Sequence, residues 1–397
     1  MNNSSQNIAN STYICSGTTE EEFQMFTRCN WWIDGLGQLL LCSIGLTGNT
    51  IAIPLLCSRK LNSVFYRLLV CLALFDNAYL ICSLLESLRS HMTLPWDMNN
   101  HTLMYIYILY PIHNIVLCCS IYITAAIAFE RCYAVCRPVE YRNRILTDRH
   151  SSWIRVLITY FLPVIGFCII FNIPKFYELD ASEYKDSLNQ TRIGIKPTPL
   201  RLNDNYIVYY HHYTRLIVTG IVPFCSLAVC NFKIYRAVMQ RKKSKKPHIY
   251  LLRNDQNGGR SSDNDTDNRQ AILLILIVLM FLVCNTPRIF LTLKETFSAK
   301  QWKEDYLHGC KGLPLWLLFM GSISHLLLTF NSSLNFFLYC VMSSSFRNVI
   351  KSCFVCRRRI KSVCSSETRV LQMCVSKTRG NYLHTEMNQD GVLMTSL

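Results

Sequence analysis

Residues 271–284 read AILLILIVLMFLVC, a run without a single charged or amide side chain. A helix packed on a soluble core keeps one face polar for water, and this stretch has no such face. About 20 apolar residues in helical form cross a hydrocarbon layer roughly 30 Å thick. Six further stretches share the character, which predicts spans at 33–57, 66–90, 102–136, 151–173, 206–238, 270–295 and 313–341. The chain of 397 residues is therefore predicted to be an all-α membrane protein with a seven-transmembrane-helix bundle over 33–342.

Basic residues near span ends set the orientation of such a bundle. Arg59, Lys60 and Arg67 follow span one; Arg137, Arg142, Arg144 and Arg149 follow span three. Arg241, Lys242, Lys243, Lys245 and Lys246 follow span five, and Lys351, Arg357, Arg358, Arg359 and Lys361 follow span seven. The opposite loops mix their basics with acids such as Glu178, Asp180, Glu183, Asp186 and Asp204. The N-terminus is thus predicted outside the plasma membrane and the tail in the cytoplasm. The net charge of +16 sits where anionic inner-leaflet lipid lies, which accounts for it without nucleic acid.

Residues 1–32 lack the apolar core of a signal peptide and are read as an extracellular, glycosylated N-terminus. Asn2, Asn3 and Asn10 open acceptor triplets there, and Asn100 and Asn189 do so in outer loops. The triplet is permissive, since Asn264 and Asn331 match it on the wrong side or within a span. Most of the 20 cysteines lie in spans as small hydrophobes. Cys15, Cys29 and Cys310 face the oxidising side; a Cys29–Cys310 disulfide is favoured because both flank span ends. The cytoplasmic stretch 241–269, rich in Gly, Asp and Ser, is expected to be a flexible loop. Phe346, Val349, Ile350 and Phe354 recur at helical spacing, predicting a short amphipathic eighth helix over 343–356. Cys353 and Cys356 are palmitoylation candidates on it, with ordinary reduced thiols as the alternative. Residues 357–397 form a polar tail expected to be disordered, and Thr395-Ser396-Leu397 fits a ligand for a PDZ-domain protein.

An ionisable residue at or within a span is costly and usually functional. Here such residues fall in an ordered set of motifs. Gly48-Asn49 lies in span one, Leu72-Ala73-Leu74-Phe75-Asp76 in span two and Glu130-Arg131-Cys132 ends span three. Trp153 and Pro163 follow in span four, Pro223 in span five, Phe281 through Pro287 in span six, and Asn335 through Tyr339 in span seven. This series resembles the rhodopsin-like (class A) G-protein-coupled receptors over roughly 33–356. The resemblance implies a signalling receptor with no enzymatic activity, coupled to a heterotrimeric G protein, with arrestin as a further partner. It implies that Arg131 is clasped by Glu130 and by Asp267, with Asn335 and Tyr339 in the same switch, until span six swings outward. The bland alternative for Asp267 is a first-turn acid favoured by the helix dipole. The resemblance also gathers Ser120, Asn331, Ser332 and Asn335 around Asp76 as a sodium site, against a water-filled network without an ion. No other cofactor is expected. The chain departs from the family at Asn285, Phe336 and Asn231, where Trp, Pro and Tyr are usual. Ile106 replaces the usual cysteine of span three, and its partner in the 175–205 loop is missing too.

His113 stands eighteen residues, or five helical turns, before Arg131 on the same face. Amine receptors resemble one another in an aspartate there, and opsins in a span-seven lysine; this chain has neither. The outer halves of the spans instead offer Glu86, Tyr110, His113, Asn114, Tyr209, His212, Arg215, Arg288 and His325 as ligand-binding candidates. Arg288 and Glu86 are read either as a structural ion pair or as separate contacts for a ligand. His113 and His325 are read as hydrogen-bonding residues rather than metal ligands, because no cysteine–histidine cluster accompanies them. The stretches 281–289 and 331–340 resemble the invertebrate FMRFamide-receptor-like neuropeptide receptors. That implies an extracellular peptide ligand, amidated and ending in Arg-Phe, whose arginine meets Glu86. A seven-span channel or transporter is the competing reading, but no internal repeat or charged transport path supports it.

Overall fold

A computed structural model describes residues 18–352 except 62, 92–97, 148–151, 186–188, 246–257, 308–313 and 344–345. Seven of its helices are long and apolar enough to cross a membrane: Glu21–Leu56, Val64–His91, Asn99–Cys136, Ser152–Tyr177, Tyr206–Gln240, Ile275–Ser298 and Leu315–Val341. Span one starts about three turns earlier than its apolar run, and the reason is local. The Thr19 hydroxyl accepts from the Glu22 N–H at 3.3 Å, while the Glu22 carboxylate accepts from the Thr19 N–H at 2.9 Å. This reciprocal capping box satisfies two otherwise orphaned donors, so residues 20–32 belong to the first helix and not to a separate N-terminal segment.

Helix also continues to Lys245 beyond span five and begins at Gly258 ahead of span six, running to Leu307. The flexible stretch expected over 241–269 is corrected accordingly, with helical backbone at both its ends. A helix nucleated in a span adds one hydrogen bond per residue as it propagates, an effect that local composition does not register.

Span one packs on spans two and seven, span two on span three, span three on spans four and five, and span six on spans five and seven. Gly45 permits the closest of these approaches: a Cβ there would collide with Ser333 Oγ and lie 2.7 Å from Leu80 Cδ1. Small residues serve this purpose wherever two spans must touch backbone to backbone. Apolar side chains such as Ile44, Ile158, Leu162, Phe232 and Val283 point outward and are exposed, as a lipid-facing surface requires.

Between spans four and five the outer loop forms an antiparallel hairpin, β1 (Leu179–Lys185) and β2 (Thr191–Pro197), with Leu179 opposite Pro197 and Lys185 opposite Thr191. Asn189 takes a left-handed φ of 58° in the connection, a conformation asparagine tolerates better than most residues. The chain divides into Met1–Ser344 and Ser345–Leu397. In the second unit residues 346–352 are helical. The remainder of the expected eighth helix, Cys353, Cys356 and the tail lie outside the described residues, as do Asn2, Asn3, Asn10, Cys15 and Cys310. Cys29 is exposed.

Candidate ligand cavity and coupling site

Two carboxylates dominate the outer half, and their surroundings differ. Glu178, just beyond span four, is wholly buried. Lys175 Nζ lies 2.6 Å from its Oε1 and Arg201 Nη1 3.5 Å from its Oε2. Tyr110 and Tyr206 donate their hydroxyls to it at 2.5 and 2.7 Å. Charge and hydrogen-bonding capacity are both met, the condition under which a buried ion is tolerated. The cluster joins spans three, four and five.

The same cluster bears on the missing disulfide. Ile106, where a cysteine is usual, is buried as an apolar side chain. Its neighbour Tyr107 donates to Asp180 Oδ1 at 2.9 Å, on strand β1. That hydroxyl, with the Ala181 N–H, holds the Asp180 carboxyl below its ordinary range. Asn99, at the start of span three, donates to the Thr191 carbonyl at 3.3 Å and accepts from the Ile193 N–H at 3.0 Å, on strand β2. Polar contacts thus fasten the hairpin to span three, the task a disulfide performs elsewhere.

Glu86 has a different setting. It is half-buried, with His113 Nδ1 3.4 Å from its Oε2 and the Tyr105 hydroxyl donating to its Oε1 at 3.2 Å. Among the described residues no lysine or arginine forms an ion pair with it. The Arg288–Glu86 pair considered from sequence is therefore corrected. Arg288 lines a cleft between spans five and six with Leu216, Thr219, Phe281, Asn285 and Ile289. His325 joins Glu86 and His113, and one ligand atom from each lies within 4.8 Å of the others. Asn114 accepts from Arg215 Nη2 at 2.9 Å, linking spans three and five. In span five His212 is buried, whereas Tyr209 is largely exposed.

In the middle of the bundle Asp76 is fully buried. Ser120 donates to its Oδ1 at 2.8 Å and Asn335 to its Oδ2 at 2.6 Å, and Ser332 adds a further hydrogen bond. Asn49 donates instead to the Ser332 carbonyl at 3.0 Å, and Asn331 makes no hydrogen bond to the carboxylate.

At the opposite end of the bundle Glu130 and Arg131 are both buried. Glu130 accepts from Tyr141 at 2.8 Å and from Tyr160. Burial, opposed by the Arg131 cation and reinforced by Glu130, pushes the Tyr141 phenol up to about 12, so it remains a donor at neutral pH. The Arg131 guanidinium lies 4.4 Å from the centroid of the Phe65 ring, a cation–π placement. Asn231 of span five reaches the Ile275 carbonyl of span six at 3.5 Å. Asn285 donates to the Phe281 carbonyl at 2.8 Å within its own helix, leaving no bulky aromatic at that turn. Tyr339 is buried, and the Asp267 side chain is outside the described residues.

Sequence reasoning brought together Asp76 with Ser120, Ser332 and Asn335, and placed Glu86 beside Arg288 where the structure has His113. It missed Glu178 with Lys175 and Tyr206, Tyr105 beside Glu86, and the two tyrosines on Glu130. Lys175 and Glu178 stand three residues apart, a spacing at which opposite charges meet; that signal was present in the chain.

The sequence model of the 7 transmembrane receptor (rhodopsin family) matches residues 48–345. An FMRFamide receptor of Drosophila melanogaster is 26% identical over 337 residues, 83% of this chain and 55% of its own length. The FMRFamide peptide receptor frpr-18 of Caenorhabditis elegans is 25% identical over 79% of this chain and 68% of its own. The melatonin receptor type 1C of Xenopus laevis is 23% identical over 58% of this chain. The chain spans little more than half the length of the Drosophila protein.

Proposed function

The chain belongs to the rhodopsin family of seven-transmembrane receptors, and from that premise we propose that it is the receptor for an extracellular neuropeptide of the amidated Arg-Phe type. It stands in the plasma membrane with its N-terminus outside and activates a heterotrimeric G protein as span six moves outward and frees Arg131 from the Glu130 side, with Asp267 contributing to the clasp. Similarity to two FMRFamide receptors over about four-fifths of the chain supports the ligand class.

One observation carries the reading: Glu178 is consumed by Lys175 and Arg201, while Glu86 forms no ion pair with a lysine or arginine among the described residues. A carboxylate so placed has its charge available for a ligand guanidinium, and a charge-assisted bond of that kind contributes about 1.5–3 kcal/mol. Cells expressing the receptor are screened for calcium and cyclic-AMP responses against neuropeptides including amidated Arg-Phe sequences. Glu86→Gln should lower potency by about 10- to 100-fold at unchanged surface level. Equal potency, or a response confined to lipids or amines, overturns the assignment.

Asp76 is the proposed seat of an allosteric sodium ion. Its carboxylate and the Ser120 and Ser332 hydroxyls supply the hard oxygens such an ion prefers, and Asn49 Oδ1 is a buried acceptor without a hydrogen bond. Replacing sodium by choline should change agonist affinity in the wild type and leave Asp76→Asn indifferent; the same change in both removes the ion from the proposal.

A further inference from the structure

We propose that Glu86, His113 and His325 form a binding site for a divalent transition-metal ion of the zinc class. The three side chains come from spans two, three and seven, and their ligand atoms lie within 4.8 Å of one another. Zinc bonds of about 2.0–2.1 Å put tetrahedral ligands about 3.4 Å apart. Glu86 Oε2 and His113 Nδ1 already stand at 3.4 Å. A shift of about 1 Å by His325 brings the third ligand to the bond lengths zinc uses.

The groups behind the histidines leave the right nitrogens facing the ion. Ser83 Oγ sits 3.3 Å from His113 Nε2, which leaves Nδ1 for the metal. Asp34 Oδ1, buried and without a hydrogen bond, lies 3.8 Å from His325 Nδ1, which leaves Nε2. A carboxylate behind a ligating histidine fixes its orientation and raises its basicity. Two imidazoles and one carboxylate suit zinc, whereas magnesium and calcium require more oxygen ligands than this site offers. An ion there ties spans two, three and seven together.

Zinc and a ligand guanidinium would compete for the Glu86 carboxylate, so the ion is tested on purified full-length receptor in nanodiscs with no peptide present, where failure of the peptide reading leaves the result unchanged. Zinc chloride is titrated in competition with a fluorescent zinc chelator. The wild type should take up one ion more per receptor than His113→Asn/His325→Asn, and Asp34→Asn should weaken that uptake about 10- to 100-fold. His101→Asn, a buried histidine of span three outside the cluster, should bind as the wild type does. Cobalt added to the wild type should give the visible absorption of a tetrahedral site, a readout independent of how the variants fold. Equal zinc uptake by the wild type and the double variant, or no tetrahedral cobalt spectrum, overturns the proposal.

Discussion

Glu178 at the outer end of the bundle and Glu130 at the inner end are both buried carboxylates, yet one is held by cations and the other by phenols. Lys175 and Arg201 neutralise Glu178, with Tyr110 and Tyr206 completing its shell. The two hydroxyls of Tyr141 and Tyr160 occupy the Glu130 oxygens. An ion cluster in a low-dielectric setting is expensive to open, because each partner left behind is an uncompensated charge. A hydrogen bond from a neutral donor to a charged acceptor is worth less, about 1.5–3 kcal/mol. The outer ends of spans three, four and five are thus tied by charge, whereas at the other end Glu130 is tied to span four and to the helix after span three by neutral donors alone.

The largest expected effect tests the fixed half. Glu178→Gln leaves Lys175 buried with no anion, which should destabilise the receptor by about 3–5 kcal/mol. The measurement is thermal unfolding of the purified protein, alongside surface expression in cells. Combining Glu178→Gln with Lys175→Met removes both charges and should recover most of the loss, since replacing a buried pair is far less damaging than breaking it. A single variant as stable as the wild type would break the comparison at its stronger end.

The two halves were not equally readable in the chain. The seven spans were legible because the absence of charge over a membrane's width is a one-dimensional signal; 271–284 carries it alone. Asp76, Ser120, Ser332 and Asn335 were legible through their order along the chain. The Glu178 shell was not, since Tyr110 lies 68 residues before it and Tyr206 28 residues after. Tyr160 likewise comes to Glu130 from 30 residues away, on another span. The metal-ligand geometry escaped for a related reason. Spacing rules detect ligands along one segment, while Glu86, His113 and His325 converge from three. Thr19 and Glu22 are the reverse case: a purely local capping signal was present, but hydropathy alone set the start of span one at 33 instead of near 20.

The movable half should respond in activity before it responds in stability. Tyr160→Phe and Tyr141→Phe each delete one hydroxyl from Glu130 and keep the ring, so packing is preserved while the anion loses a donor. Each bond lost biases the equilibrium toward whichever arrangement does not use it, and about 1.4 kcal/mol corresponds to a tenfold change in population. Basal nucleotide exchange on an added G protein should therefore rise about 10- to 100-fold in either single variant, and at least as much in the double, up to saturation of the signalling form. Unfolding temperatures should fall by less than in Glu178→Gln. The sign of the result carries the argument. A rise in basal exchange means the phenols favour the arrangement in which Arg131 lies over Phe65, and that this arrangement is the silent one. A fall would mean that Tyr141 and Tyr160 support the signalling form instead, and the inner carboxylate would then be a latch on the open state.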